Sequence, residues 1–506
     1  MIEYRMKRIG ADVLLIALLG IAMFGRVSSG YFCGFDDFNE THRAVFEDAG
    51  NLSHIFATGH FGSTRYRPLN RLSTYVCWKI GGGSALPFRL RNLLFHLICA
   101  ICVYALALMW TRERAVALVS GLLFCIEPNA NQDIVAAVFT NTCAYAFLLA
   151  GFVAFLIWTE SKRTMCIALS LLLVLTGMFF YEPVIVAFPM MAGYLFLQKT
   201  RDSSAPSFKE IAMWLVGSAS VLFVFALARH FVVHGTDLRV PIMTTLHNAF
   251  LYAGALLSPI DVVTANQLFG SSLPPALHLD RTILELLVIT ITALAVAVVA
   301  FLRMPATRAR IQFLDKGLVV FLALSIPAVL APFLLFTPHA SETYLYLPSA
   351  LYSILLSMLL WALLPSRSFY WSAVLAILLC FGVGTWIRNQ RVAECGTIAK
   401  NILKGLPVSE WKNGEWSIYL SNAPGEALPP RYGVYNYKGL AAIDPDEPAA
   451  GHVAENALQV VTGNPALQVN IVSPTDMNHS CELPDTCFDV SRSGSVNEIL
   501  AAHGQH

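Results

Sequence analysis

The sequence predicts an all-α polytopic membrane protein with about eleven transmembrane helices. It places surface-lying helices in the first outer loop and a small α/β unit at the C-terminal end. Three observations lead there. Of 506 residues, 56% are hydrophobic and only 13% are charged, against about 25% charged in soluble domains. Apolar runs of spanning length recur from the N-terminus to about residue 388. Beyond that point the composition turns to Pro, Gly, Asn and Asp.

A helix needs about 20 apolar residues to cross the hydrocarbon core. Eleven runs qualify or come close: 9–27, 90–110, 115–127, 143–159, 165–181, 183–198, 210–228, 283–302, 317–336, 348–364 and 371–388. The third is short. Only Glu182-Pro183 separates the fifth from the sixth, so those two form a tight hairpin. The first run lacks a small-residue cleavage site and reads as a retained anchor. Phe32-Cys33 is a poor fit to a lipoprotein site.

Basic residues give the orientation. Arg5, Lys7 and Arg8 precede the first run. Every second connection is also basic, through Arg112/Arg114, Lys162/Arg163, Lys199/Arg201/Lys209, Arg303/Arg308/Arg310/Lys316 and Arg367. The alternate short connections at 128–142, 182–183 and 337–347 hold no Lys or Arg. The parity puts the N-terminus in the cytoplasm and the segments 28–89, 229–282 and 389–506 outside. Trp110, Trp158, Trp361, Trp371 and Trp386 stand near run ends, as interfacial anchors do. The apolar stretch 246–257 is too short to span, and Pro241 and Pro259 flank it, which suits a re-entrant or surface segment.

The first outer loop carries the most informative residues. Asp36 and Asp37 follow the first span directly. Adjacent carboxylates at a bilayer surface are costly to desolvate and need a function or a structural partner. Pro68 suits the first turn of a helix. Leu69, Leu72, Val76 and Ile80 then share one face, and Gly81-Gly82-Gly83 ends the segment.

The tail, 389–506, has strand-like runs at Ser417–Leu420 and Leu467–Val472 and no helical-repeat period. Together these divide the chain into a transmembrane unit, 1–388, and a small external unit, 389–506. Of eleven cysteines, Cys481 and Cys487 sit together in the tail, where an external location permits a disulfide. Cys33 and Cys77 share the first outer loop and allow a second bridge. The others fall mostly in spans as apolar fillers. A net charge of +1 gives no case for nucleic acid. No His/Cys/Asp spacing suggests a metal site, and no phosphate-binding Gly loop is present.

Three local patterns resemble one family. They are Phe35-Asp36-Asp37 after the first span, Tyr66-Arg67-Pro68-Leu69 leading to Phe88-Arg89-Leu90-Arg91-Asn92-Leu93-Leu94-Phe95-His96, and Ser341-Glu342-Thr343-Tyr344-Leu345-Tyr346-Leu347-Pro348-Ser349. Together they resemble the C-type (GT-C) membrane glycosyltransferase superfamily, and in it the membrane portion of the tetratricopeptide-containing protein O-mannosyltransferases and their bacterial relatives. Glu127-Pro128 through Asp133, and Tyr181-Glu182, fall where those proteins have His-Pro…Glu and Lys-Glu. The likeness covers about 1–365. It departs at Thr343, where the family has Arg, and at Glu127, where it has His.

The resemblance implies transfer of a sugar from a polyprenyl-phosphate donor to a glycan, lipid or protein acceptor at the outer face of a bacterial inner membrane. The reaction is an inverting single displacement, without a cofactor. It needs a base at the acceptor hydroxyl and cations at the departing phosphate. Asp36 matches the family's catalytic acid and Asp37 is the second choice; either can instead cap the following helix. Arg65 and Arg67 are candidates for the donor phosphate, as are Arg229, His230 and His339 in place of the absent Arg; headgroup contact is the plainer role. Glu127, Asp133, Glu182 and Glu342 are candidates for acceptor or donor binding; Glu127 and Asp133 can instead be solvated loop acids, whereas the tight hairpin keeps Glu182 near the membrane. Tyr344 and Tyr346 line the donor cavity or anchor at the interface. Asn92 and His96 suit interhelical hydrogen bonding. A flippase for lipid-linked sugars should show paired halves, which are absent. A polymerase or ligase should carry its essential residues in a large late loop, and here the acids are early.

Overall fold

In the computed structural model the described residues are 2–32, 35–59, 65–201, 207–232, 241–258, 275–312, 314–336, 341–422, 448–471, 487–490 and 496–498. The chain begins with α1 (Ile2–Ser28) and then builds three short helices, α2 (Phe35–Phe46), α3 (Leu52–Ala57) and α4 (Pro68–Gly81). Next come α5 (Leu86–Thr111), α6 (Arg114–Cys125), α7 (Asn131–Val135), α8 (Asn141–Ser161), α9 (Thr164–Phe180), α10 (Ala187–Arg201) and α11 (Phe208–His230). The second half holds α12 (Ile242–Leu257), α13 (Pro275–Leu302), α14 (Pro305–Gln312), α15 (Lys316–Phe336), α16 (Tyr346–Leu363) and α17 (Arg367–Gly405). The tail adds α18 (Pro448–Thr462) and four strands.

Helices stand at all eleven predicted runs, and the protein is a multi-pass, all-α membrane protein. Among the described residues eight helices are long and apolar enough to cross a bilayer: α1, α5, α8, α11, α13, α15, α16 and α17. The other three are shorter. Helix α6 has 12 residues, α9 has 17 and α10 has 15. Helix α6 ends at Cys125 because Pro128 follows within a turn, and nearly all of it is buried among its neighbours. Trp158, expected as an interfacial anchor, is instead fully buried in the bundle, while Trp371 and Trp386 are exposed.

Helix boundaries follow local chemistry. Pro68 opens α4, and Gly82 closes it in the left-handed region at φ 54°. Ser207 and Glu210 form a capping box on α11. One feature of α4 inverts the usual pattern. Its polar residues Asn70, Arg71 and Thr74 are buried, while Val76 and Ile80 of its apolar face are exposed. A helix with its polar side on the protein and its apolar side outward fits a membrane surface.

The last helix of the bundle does not stop at 388. Helix α17 runs unbroken for 39 residues to Gly405, so the boundary expected at 388 lies inside one helix. The tail then forms a mixed sheet in the order β2-β1-β3-β4, from Ser417–Asn422 (β1), Gln468–Ile471 (β2), Cys487–Val490 (β3) and Val496–Glu498 (β4). Strands β2 and β3 pair parallel to β1; β4 pairs antiparallel to β3. The core of this small α/β unit is shared with the first outer loop. Phe32, Phe38 and Phe88 pack in one cluster with Trp411, Ile418, Leu420, Leu458 and Phe488. Helix α18 also packs on α2, where Asn456 Nδ2 donates to Asn39 Oδ1 at 2.7 Å.

Candidate active site

The site begins with a clamp. Arg89, at the start of α5, is 1% exposed. It donates to three carbonyls: Val135 at 2.9 Å, Val27 at 3.1 Å and Tyr31 at 2.6 Å. Arg91 donates to the carbonyls of Ala137 and Phe139, and Asn92 to that of Ala136. These bonds join the end of α1, the turn into α2 and the segment 135–139. Helix α17 closes the other side: a Cβ on Gly396 would lie 2.9 Å from the Tyr31 carbonyl oxygen. The turn delivering Asp36 is therefore held from two sides.

The paired acids occupy different environments. Both lie in the first turn of α2, where the helix dipole favours a negative charge. Asp37 is fully buried and accepts from Val138 N–H at 3.2 Å, tying α2 to the clamped segment. Asp36 is half-buried and makes no hydrogen bond among the described residues. Burial, and then the neighbouring Asp37 charge, push its carboxyl up to about 6, against the pull of Arg65 and Arg67. One turn on, burial raises Glu40 to about 7. A carboxylate near 6 is mostly ionised at pH 7 and is a stronger base than an ordinary aspartate.

Arg67 links this acid to a deeper aromatic cluster. Its Nε donates to Glu182 at 2.5 Å, and its guanidinium lies 4.4 Å over the Tyr181 ring. Glu182 also accepts from Tyr66 N–H at 2.9 Å, so it anchors the Arg67 strand of the loop. Tyr181 stacks on Phe333, which stacks on Tyr344 at 4.3 Å between ring centres. Beyond these rings lies Asp133, with no exposed surface. Its Oδ1 accepts from Asn141 and Thr343. Its Oδ2 has no hydrogen-bond partner among the described residues. Burial raises this carboxyl to about 7.

Several expectations are corrected here. Glu127 and Asp133 are not solvated loop acids; both are buried, and Glu127 accepts from Asn129 at 2.7 Å. Tyr346 is neither an interface anchor nor open to a cavity. It is fully buried, bonded to His96 Nδ1 at 2.7 Å and stacked on Tyr145. His96 also meets the Cys125 carbonyl at 3.0 Å, so it bridges helices as its position suggests. Thr343 contributes a hydroxyl to Asp133 where the resemblance would place a cation. Arg229 is half-buried at the end of α11 and has no side-chain hydrogen bond or ion pair among the described residues. His230 is exposed. His339 and the side chain of Glu342 lie outside the described residues.

Cys77 is a free, buried thiol, so it forms no second bridge. Cys487 is disulfide-bonded, while Cys481 lies outside the described residues. Among the described residues no three His, Cys, Asp or Glu side chains converge as a metal site.

Other positioning residues had no clear sequence signal. Arg388 and Asn389 on α17 bind the Pro128 and Met23 carbonyls. Arg71 reaches Asp48 and Thr58, and all but 2% of Arg71 is buried.

No family model matches the sequence, and no curated protein matches it. Solved structures similar to the chain include two of one protein. ArnT from Cupriavidus metallidurans in the apo state is 15% identical, with a TM-score of 0.42, covering 81% of this chain and 82% of that one. ArnT from Cupriavidus metallidurans bound to undecaprenyl phosphate is 14% identical, with a TM-score of 0.41, covering 92% of this chain and 86% of that one.

Proposed function

We propose that this chain is a GT-C-type glycosyltransferase, moving a sugar from a polyprenyl-phosphate donor to an envelope acceptor at the outer face of a bacterial inner membrane. The N-terminus is cytoplasmic and the tail external. The observation that carries this reading is the division of labour between Asp36 and Asp37: one carboxylate is tied into the fold, and its neighbour stands unbonded beside Arg65 and Arg67. Asp36 takes the acceptor hydroxyl proton as that oxygen bonds to the anomeric carbon. The carbon–phosphate oxygen bond breaks on the opposite side, which inverts the centre. The added charge on the polyprenyl phosphate falls to Arg65 and Arg67, whose guanidiniums match phosphate oxygens. Glu182 and Tyr181 hold Arg67 in place, and the buried Asp133 and Tyr344 pack behind them.

The test uses protein reconstituted in liposomes with radiolabelled polyprenyl-phosphate sugars and envelope acceptor fractions. The proposal predicts label in the acceptor and release of polyprenyl phosphate. Label crossing the bilayer still attached to its lipid, with none transferred, refutes it in favour of a flippase.

A further inference from the structure

A cavity lies at the end of the bundle away from the Asp36 site. Eighteen residues of α5 separate Asn92 from Trp110, about 27 Å at 1.5 Å per residue. The cavity, about 440 Å³, is lined by Trp110, Glu113, Arg310, Leu318, Met358 and Trp361 among others. One wall is apolar; the rim holds charges of both signs.

Those charges are kept apart. Arg310 is half-buried, donates from one Nη to the Leu364 carbonyl at 2.8 Å, and lies 5.6 Å over the Trp361 ring. It forms no ion pair with Glu113 or Asp315 among the described residues. Asp315 is used to cap α15, accepting from Leu318 N–H at 3.1 Å. The Glu113 carboxylate is exposed and has no hydrogen bond or ion pair among the described residues. Opposite charges that share a cavity but do not meet leave room for a ligand with both signs. An anion fits at Arg310, a hydrogen-bonding cation at Glu113, and apolar chains along Leu318 and Met358. Trp110 and Trp361 sit where interfacial tryptophans meet headgroups.

We infer that this cavity holds the headgroup of a phosphatidylethanolamine, with the phosphate on Arg310 and the primary ammonium on Glu113. A quaternary ammonium has no N–H to donate, and a glycerol headgroup brings no cation. The site is therefore selective against phosphatidylcholine and phosphatidylglycerol.

The test is native mass spectrometry on full-length protein stripped of lipid in detergent and titrated with each of the three lipids. The expected result is binding of phosphatidylethanolamine about tenfold tighter than either competitor, the scale of one charge-assisted hydrogen bond. Glu113→Gln should remove that preference, and Arg310→Gln should weaken all three lipids. Because Glu113 is exposed and its side chain supports nothing in the fold, its variant stays interpretable even if Arg310→Gln destabilises the protein. Equal binding of the three lipids, a preference for phosphatidylglycerol, or an unchanged preference in Glu113→Gln overturns the inference. Soluble phosphoethanolamine competing at the same concentration as the lipid would overturn the lipid assignment.

Discussion

Asp37→Asn and Arg65→Gln should move the acid limb of the transfer activity in opposite directions. Asp36 titrates near 6 because burial and the Asp37 charge raise it while Arg65 and Arg67 hold it down. A base acts when deprotonated, so activity rises as pH rises through its pKa. Removing the Asp37 charge lowers that pKa, and removing the Arg65 charge raises it. A close charge shifts a carboxyl by about 1–3 units, and we take about one unit for each. At pH 6 the wild-type base is about half ionised; about 90% ionised in Asp37→Asn, it works about 1.8-fold faster, and about 9% ionised in Arg65→Gln, about fivefold slower. Arg65→Gln also lowers the plateau by weakening the phosphate contact, so the midpoint of the limb, not its height, is the quantity to read. Asn can still accept from Val138 N–H, which keeps the fold of the first variant. The assay is initial transfer rate from pH 4.5 to 8.5 with donor saturating. Midpoints that stay at the wild-type value, or move in the same direction, refute the placement of Asp36 between these charges.

Other predictions follow from the clamp and the tail. Arg89→Met removes three donors from buried carbonyls and should cost about 3–5 kcal/mol, read as a lowered midpoint in thermal unfolding. Gly396→Val drives a side chain against the Tyr31 carbonyl. It should reduce transfer about tenfold or more with helix content unchanged by circular dichroism, because small displacements of a reacting group are costly. Cys487→Ser should destabilise the tail by about 2–4 kcal/mol, measured as faster proteolysis of residues beyond Gly405, with transfer by the intact fraction retained.

Much of the bundle was legible because apolar run length is a local property. Pro68 and Gly82 bounded α4 for the same reason: each acts through its own backbone angles. The position of Asp36–Asp37 was legible, but not which of them is free. That depends on Val138, brought to Asp37 by the Arg89–Asn92 clamp across the sequence. Asp133 looked like a loop acid because its loop is short and polar; the packing of Tyr145, Thr343 and Asn141 around it is a tertiary effect. The junction at 388 was set where the apolar run ends. A helix continues past that point because residues 389–405 contain no proline and pack on the first outer loop. Nothing local marked α18 as the layer between the tail sheet and α2, since that contact joins residues some four hundred apart.

Whether Asp36 is the base is decided by comparing Asp36→Asn with Asp37→Asn in the reconstituted transfer assay, with donor binding measured in parallel. Asp36→Asn should bind polyprenyl-phosphate sugar normally and transfer at least about a hundredfold more slowly, the contribution expected of a general base. Asp37→Asn should retain transfer within the few-fold set by its shifted pH limb. Transfer at the wild-type rate by Asp36→Asn would show that Asp36 is not the base.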